Sequence, residues 1–87
     1  MPPHNYIVRL YFAEHEQLKP GQRVFSVTLQ DHEVLRDLDI VGETGEPNIG
    51  LIKECQAVKA SDVIRVRLIP TTGKTLLCGV EVIAHDP

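Results

Sequence analysis

Hydrophobic and polar residues alternate along four separate stretches of the chain. In the first stretch, Val8, Leu10 and Phe12 alternate with Arg9 and Tyr11. The other stretches with this pattern are residues 25–30, 64–68 and 78–83. Successive side chains point to opposite faces of a β-strand, so a period of two predicts strands that are apolar on one face. We expect the apolar set of each strand to face the protein interior.

Turn-forming residues separate these stretches, and two further strands are predicted between them. A short strand is centred on Val34 and Leu35, and a less regular strand runs from Leu51 to Val58. The segment Gly42–Gly50 is rich in Gly, Glu, Asn and Pro, which is typical of a loop. The stretch Ala13–Leu18 is the only candidate helix, and it is too short and too polar to predict one.

The chain is predicted to form a single all-β domain over residues 1–87. Its 87 residues are enough for one small domain with a modest core, which a partner could help to complete. Roughly six or seven short strands without a sustained helical stripe favour an antiparallel β-sandwich.

Composition and charge argue against two classes of partner. Twelve Asp and Glu outnumber nine Lys and Arg, and a net charge of −3 argues against nucleic acid. No apolar run approaches the ~20 residues of a membrane span, so no membrane partner is expected. The first residues also lack the basic and apolar segments of a signal peptide.

Residues that could carry catalysis do not form a known motif. The chain has no nucleophile elbow, no phosphate-binding glycine loop and no HExxH, so it is predicted not to be an enzyme. Its four histidines stand at positions 4, 15, 32 and 85. No two of them have metal-ligand spacing, so no metal or cofactor is expected. Glu14 and Glu16 could act as paired acids, but a charged strand edge is the preferred interpretation.

Three arginines lie on predicted outward faces and have two interpretations. Arg9, Arg65 and Arg67 could bind an anion together. Alternatively, they could pair with Glu54 or Glu81 across a solvated sheet, which is the preferred interpretation.

Cysteine and aromatic residues are few. Cys55 and Cys78 could form one disulfide, but two free buried thiols are preferred. The chain has no Trp, and Phe12 and Phe25 are predicted to lie in the core. Only Tyr11 is expected to be exposed. Because flat rings cover the apolar faces of sugars, this is a small supply for a sugar site.

Six segments carry recognisable motifs in a fixed order. Tyr6–Glu14 reads YIVRLYFAE, and Gly21–Val27 reads GQRVFSV. The other four, in chain order, are Leu38–Val41 followed by Gly42 and Gly45, Ile52–Cys55, Ile64–Leu68 and Gly79–Val82. In order and spacing these segments resemble the strands of malectin and malectin-like domains, over nearly the whole chain.

This resemblance carries implications for fold and function. The chain is similar to the C-terminal half of a malectin-type domain. The resemblance implies a jelly-roll β-sandwich of the galactose-binding-domain type, here in a truncated form. It also implies a carbohydrate-binding role, an oligosaccharide or glycan partner, and an extracytoplasmic or cell-surface location.

The resemblance places the candidate sugar site in two loops, His15–Leu18 and Thr71–Lys74. In malectin an aromatic pair follows the Phe-Ala-Glu strand, and the matching positions here are Glu16 and Gln17. The family's acidic residue before the final strand corresponds to Gly73. These replacements remove the stacking surface, so weak binding or altered specificity is expected. The candidate carbohydrate-binding residues are His15, Glu16, Gln17, Thr72 and Lys74.

Two functions follow from these observations. The favoured function is a non-catalytic carbohydrate-binding module for glucose- or galactose-containing glycans. The alternative is a structural or protein-interaction domain that forms a homodimer or completes a larger protein, without binding sugar. A homodimer would cover an apolar face, for which Ile7, Tyr11 and Ile83 are the candidates.

Overall fold

The computed structural model describes residues 4–60 and 63–84, which form six strands and one short helix. The elements are β1 (His4–Phe12), β2 (Val24–Leu29), β3 (His32–Leu38), α1 (Ile40–Thr44), β4 (Leu51–Ala60), β5 (Val66–Thr72) and β6 (Gly79–Ala84). The predicted all-β class is therefore confirmed. Each predicted strand is present, although β5 starts later than its pattern and continues to Thr72.

The strands form two antiparallel three-stranded sheets that pack into a small β-sandwich. The β1 sheet has the strand order β4-β1-β6, and the β2 sheet has the order β3-β2-β5. Every pairing of neighbouring strands is antiparallel. The jelly-roll connectivity and the truncation implied by the family resemblance stay predictions.

The core lies between β1 and β2, the central strands of the two sheets. Val8 and Leu10 on β1 are fully buried, as is Val27 on β2. The rings of Phe12 and Phe25 meet across the sandwich, with their centroids 5.8 Å apart and their planes tilted by 52°. The inward faces predicted for these two strands are confirmed, and dispersion between their side chains stabilises the sandwich.

The helix α1 was not predicted, because its five residues are too few to show a helical period. Asp39 caps its first turn by accepting a hydrogen bond from the backbone N–H of Gly42, at 3.0 Å. Gly45 ends it in the left-handed conformation, with φ of 93°. The helix buries Ile40 and Val41, and the predicted loop therefore begins later than Gly42.

The two flanks of the sandwich differ in how well they are covered. On β4, Val58 and Ala60 are buried. On β6, Val80 and Val82 pair with Leu10 and Val8, so their side chains share the inward face of the β1 sheet. Both valines are nevertheless 45% exposed. The prediction that the apolar set of β6 is buried was therefore wrong, because facing inward does not ensure that another layer lies opposite.

Both cysteines are free, as predicted, but neither is fully buried. Cys55 is half-buried, whereas Cys78 is exposed. The prediction of two buried thiols was wrong for Cys78, which directly precedes β6 on the uncovered flank.

Two further findings apply to residues 4–60 and 63–84. No group of three or more His, Cys, Asp or Glu in this part of the chain is placed to hold a metal ion. Nor does this part contain a helix with the length and apolar character needed to cross a membrane. His85, one of the four histidines considered as metal ligands, lies outside the described residues.

Candidate functional site

Two loops meet at one end of the sandwich and enclose a shallow cavity. One loop follows β1, and the other joins β5 to β6. The cavity has a volume of about 190 Å³. Its lining residues are Glu16, Leu18, Gln22, Arg23, Gly73 and Lys74. The cavity therefore lies where the loops His15–Leu18 and Thr71–Lys74 come together.

A buried ion pair between Arg23 and Glu14 underlies this cavity. The Arg23 Nε donates to Glu14 Oε1 at 2.6 Å, and Nη2 donates to Oε2 at 3.1 Å. The two side chains are only 8% and 1% exposed. This two-point geometry is the strongest form of an arginine–carboxylate contact. The interpretation of Glu14 as part of a charged strand edge was therefore wrong.

The same guanidinium also binds both loops. Its Nη2 donates to Glu16 Oε2 at 2.6 Å, and its Nη1 donates to the backbone carbonyl oxygens of Lys74 at 3.0 Å and Thr75 at 3.5 Å. Together with the two contacts to Glu14, these bonds occupy all five N–H groups of the side chain. Arg23 thus joins the loops rather than offering donors to a ligand. The hydrogen bond to Glu14 raises the pKa of Arg23, which keeps the guanidinium charged.

The turn before Arg23 is hydrogen-bonded to Asp39. One Asp39 oxygen accepts from the backbone N–H of Gly21 at 2.7 Å, while the other caps α1. The helix in turn is tied to β4 by an ion pair between Glu43 and Lys53, at 2.7 Å. The turn that leads into Arg23 is therefore linked through Asp39 to the helix that the sequence pattern did not reveal.

Gly73 allows the second loop to approach this turn closely. Its φ is +72°, and an added Cβ would lie 2.7 Å from the backbone oxygen of Gln22. Only glycine fits this conformation and this contact without strain. The close approach explains why this chain carries glycine where the family resemblance implies an acidic residue.

The five predicted sugar-binding residues are distributed unevenly around the cavity. Glu16 and Lys74 line it. His15 instead lies beside Cys78, with its Nε2 3.5 Å from the Sγ atom. Gln17 is exposed, and Thr72 ends β5 opposite Val24. The structure thus brings two of the five to the cavity, and sugar contact by any of them stays a prediction.

Two cavity residues were missed by sequence reasoning. Arg23 and Gln22 line the cavity but were not candidates. Both belong to the Gly21–Val27 motif, which was the one available signal. The spacing of Glu14 and Glu16 was noticed, but their common partner lies in a separate turn and so could not be found from strand periodicity.

The outward face of the β1 sheet carries a second, exposed ion-pair network. Arg9 binds Glu54 at 3.1 Å and Glu81 at 2.8 Å. The Tyr11 hydroxyl donates to the same Glu81 oxygen at 3.0 Å. The predicted pairing is confirmed for Arg9, whereas Arg67 lies on β5 in the other sheet. The face proposed for a dimer through Ile7, Tyr11 and Ile83 therefore has charged groups at its centre.

A larger cavity of about 300 Å³ lies at the other end of the sandwich. Its lining residues are Leu29, Gln30, His32, Val34 and the segment 55–59 of β4. Burial raises the pKa of the Cys55 thiol in this lining, which disfavours the reactive thiolate. None of the predicted site residues lines this cavity, so the smaller cavity is the better candidate.

Comparison with known proteins identifies one domain family. The model of the malectin domain matches residues 3–87 of the chain. A probable receptor-like protein kinase from Arabidopsis thaliana is 40% identical over 48 residues. That match covers 53% of this chain but 6% of the kinase, so the chain spans a small part of that relative. No solved structure matches the chain significantly.

Proposed function

We propose that this chain, which belongs to the malectin domain family, is a non-catalytic carbohydrate-binding module. At the family level the malectin domain is of the carbohydrate-binding type. One observation supports the proposal most: the two loops predicted to contact sugar are joined by Arg23 and meet at a cavity that Glu16 and Lys74 line. Membership of the family also leads us to propose an extracytoplasmic or cell-surface location.

The chemistry of the cavity suits hydroxyl groups better than flat sugar faces. The Glu16 side chain is 67% exposed and uses Oε2 to bind Arg23, which leaves Oε1 to accept from a sugar hydroxyl. The Lys74 ammonium can donate to another hydroxyl. Among the residues that the structure describes, none that lines the cavity is aromatic. Since exposed hydrogen bonds contribute only ~0.5–1.5 kcal/mol each, we propose weak binding of gluco- or galacto-oligosaccharides, with a Kd on the order of several millimolar or higher.

A nuclear magnetic resonance titration of the labelled 87-residue chain tests this proposal. With gluco- and galacto-oligosaccharides at millimolar concentration, we expect saturable shifts in residues 16–18 and 72–74. Glu16→Gln and Lys74→Met should each weaken the response several-fold. Glu33→Gln is the matched control, because Glu33 is a partly exposed glutamate on β3, outside both loops. Absence of saturable shifts, or equal affinity in all variants, would contradict the proposal.

A second candidate function is favoured by the uncovered flank. We propose, as the alternative, a structural or protein-interaction domain that forms a homodimer or completes a larger protein. The supporting observation is the exposure of Val80 and Val82 on a face that elsewhere forms the core. An exposed apolar patch is one mark of a protein–protein interaction site. A monomer in light scattering at micromolar concentration would argue against the homodimer.

A further inference from the structure

Each sheet ends in two edge strands, and three of the four carry features that hinder pairing with another chain. β3 contains charged residues and is irregularly paired with β2. β4 has a bulge near Ala57, whose φ is +56°, and two lysines. β5 contains Pro70, which has no N–H to donate. Charges, prolines and bulges are the usual devices that keep edge strands from associating.

The fourth edge strand, β6, lacks these devices. Gly79–Ala84 reads GVEVIA, without Lys, Arg or Pro. Its pairing with β1 runs from Tyr11↔Gly79 to Tyr6↔Ala84 without a register shift. Its apolar inward face is also the one that stands half-exposed at Val80 and Val82. Among the described residues, β6 is thus the edge that is both regular and incompletely covered.

The single charge on β6 does not protect this edge either. Glu81 points to the outward face, where it already binds Arg9 and Tyr11 of the neighbouring strand. A carboxylate whose charge is compensated by a neighbouring guanidinium presents little repulsion to an approaching strand.

We infer that β6 pairs antiparallel with β6 of a second copy of this chain, about a two-fold axis. The pairing rests on the second candidate function and makes it more specific. It joins two β1 sheets into one six-stranded sheet. Main-chain hydrogen bonds would hold the pair, and the four inward valines would form a continuous apolar strip. The interface lies on the edge of the sheet rather than on the face of Ile7, Tyr11 and Ile83.

Charge and side-chain size suit the pairing of β6 with its own copy. A register centred on Val82 places Val82 opposite its own copy and Val80 opposite Ala84. In this register Glu81 faces Ile83, so the two carboxylates are not opposed. Small and β-branched residues are good cross-strand neighbours. In a two-fold symmetric dimer both copies contribute the same strand, so β6 alone supplies both sides of the interface.

Analytical ultracentrifugation of the 87-residue chain from micromolar to millimolar concentration tests this inference. We expect a concentration-dependent dimer in the parent chain. Val82→Lys should weaken it by ~10-fold or more, because two ammonium groups would face each other at the axis. Ile52→Lys is the matched control, since Ile52 is a 58% exposed isoleucine on the opposite edge strand. Circular dichroism checks that both variants are folded.

A cross-linking experiment locates the interface independently. In a background with Cys55→Ser and Cys78→Ser, Val82→Cys should form a disulfide-linked dimer, whereas Ile52→Cys should not. Directly opposed residues in an antiparallel pair have the Cα separation that a disulfide requires.

Several outcomes would overturn the inference. These are a parent chain that stays monomeric, equal loss of dimer in both lysine variants, or cross-linking through position 52 alone. Because sugar-induced shifts are expected in residues 16–18 and 72–74, the titration distinguishes failure of sugar binding from failure of the dimer.

Discussion

Arg23 and Arg9 each bind two carboxylates, but they do so in different surroundings. Arg23 holds Glu14 and Glu16 at the loop junction, and its side chain is only 8% exposed. Arg9 holds its two partners on the outward face of the β1 sheet and is 38% exposed. In the buried network, loss of one partner leaves a charge that is largely shielded from water, whereas water can replace a partner in the exposed network.

This difference assigns different roles to two similar sets of residues. The buried network joins elements that are far apart in sequence, because Arg23 also binds the carbonyl of Lys74. The exposed network links three neighbouring strands that the backbone ladder already aligns. We therefore expect the loop junction to depend on its ion pair, and the β1 sheet to be largely independent of its own.

The largest expected effect comes from breaking the buried pair. Glu14→Gln removes the charge that compensates Arg23, and we expect it to lower the free energy of unfolding by about 3–5 kcal/mol. Urea denaturation followed by circular dichroism measures the change. Glu16→Gln is the control, since its exposed carboxylate should matter much less. Equal effects of the two substitutions would show that burial does not set the difference.

A second prediction disturbs the junction without changing any charge. Gly73→Ala forces a Cβ against the backbone oxygen of Gln22 at a positive φ. We expect a loss of about 1–3 kcal/mol in the free energy of unfolding. Gly50→Ala is the matched control, because nothing lies within 4 Å of an added Cβ there. If both variants unfold at the same urea concentration, the close approach of the loops is not a constraint.

The exposed network should give a much smaller effect. For Arg9→Met we expect almost no shift of the urea midpoint, because solvent takes over from the guanidinium. A shift as large as that of Glu14→Gln would abolish the distinction between the two networks. High salt should likewise change the urea midpoint of the parent chain only slightly, because the exposed ion pairs contribute little to its stability.

The smallest effect is a titration in the exposed network. Hydrogen bonds from Arg9 and then from Tyr11 lower the pKa of Glu81 below its ordinary value. A lowered pKa means that the contribution to stability is present above the unfolded value near ~4.3 and is lost as the pH falls through the folded value. Carboxyl carbon shifts should titrate below ~4.3 in the parent chain and higher in Arg9→Met. A Glu81 titration midpoint at the ordinary value in both the parent chain and Arg9→Met would show that Arg9 does not stabilise the Glu81 carboxylate.

Much of the fold was predictable because it depends on neighbouring residues. The alternation of Val8, Leu10 and Phe12 is a property of one strand, and it correctly predicted the inward face of β1. The helix α1 depends on a cap and a glycine rather than on a period, so its five residues gave no pattern. The exposure of Val82 depends on what lies across the sandwich, which a strand's own sequence does not contain.

The candidate site was predictable only in outline. Family resemblance indicated the two loops, and the structure places Glu16 and Lys74 at one cavity. The burial of Glu14 could not be anticipated, since it requires Arg23 from a later turn and a loop that closes over both. Long-range packing of this kind leaves no local periodic signal.

One titration tests most directly whether the buried network builds a sugar site. Labelled Arg9→Met and Glu14→Gln are titrated beside the parent chain with the oligosaccharide that gives the largest shifts. We predict saturable shifts in residues 16–18 and 72–74 for the parent and for Arg9→Met, and their loss in folded Glu14→Gln. A response that persists in Glu14→Gln, or that lies outside these loops in the parent chain, would contradict the proposed site.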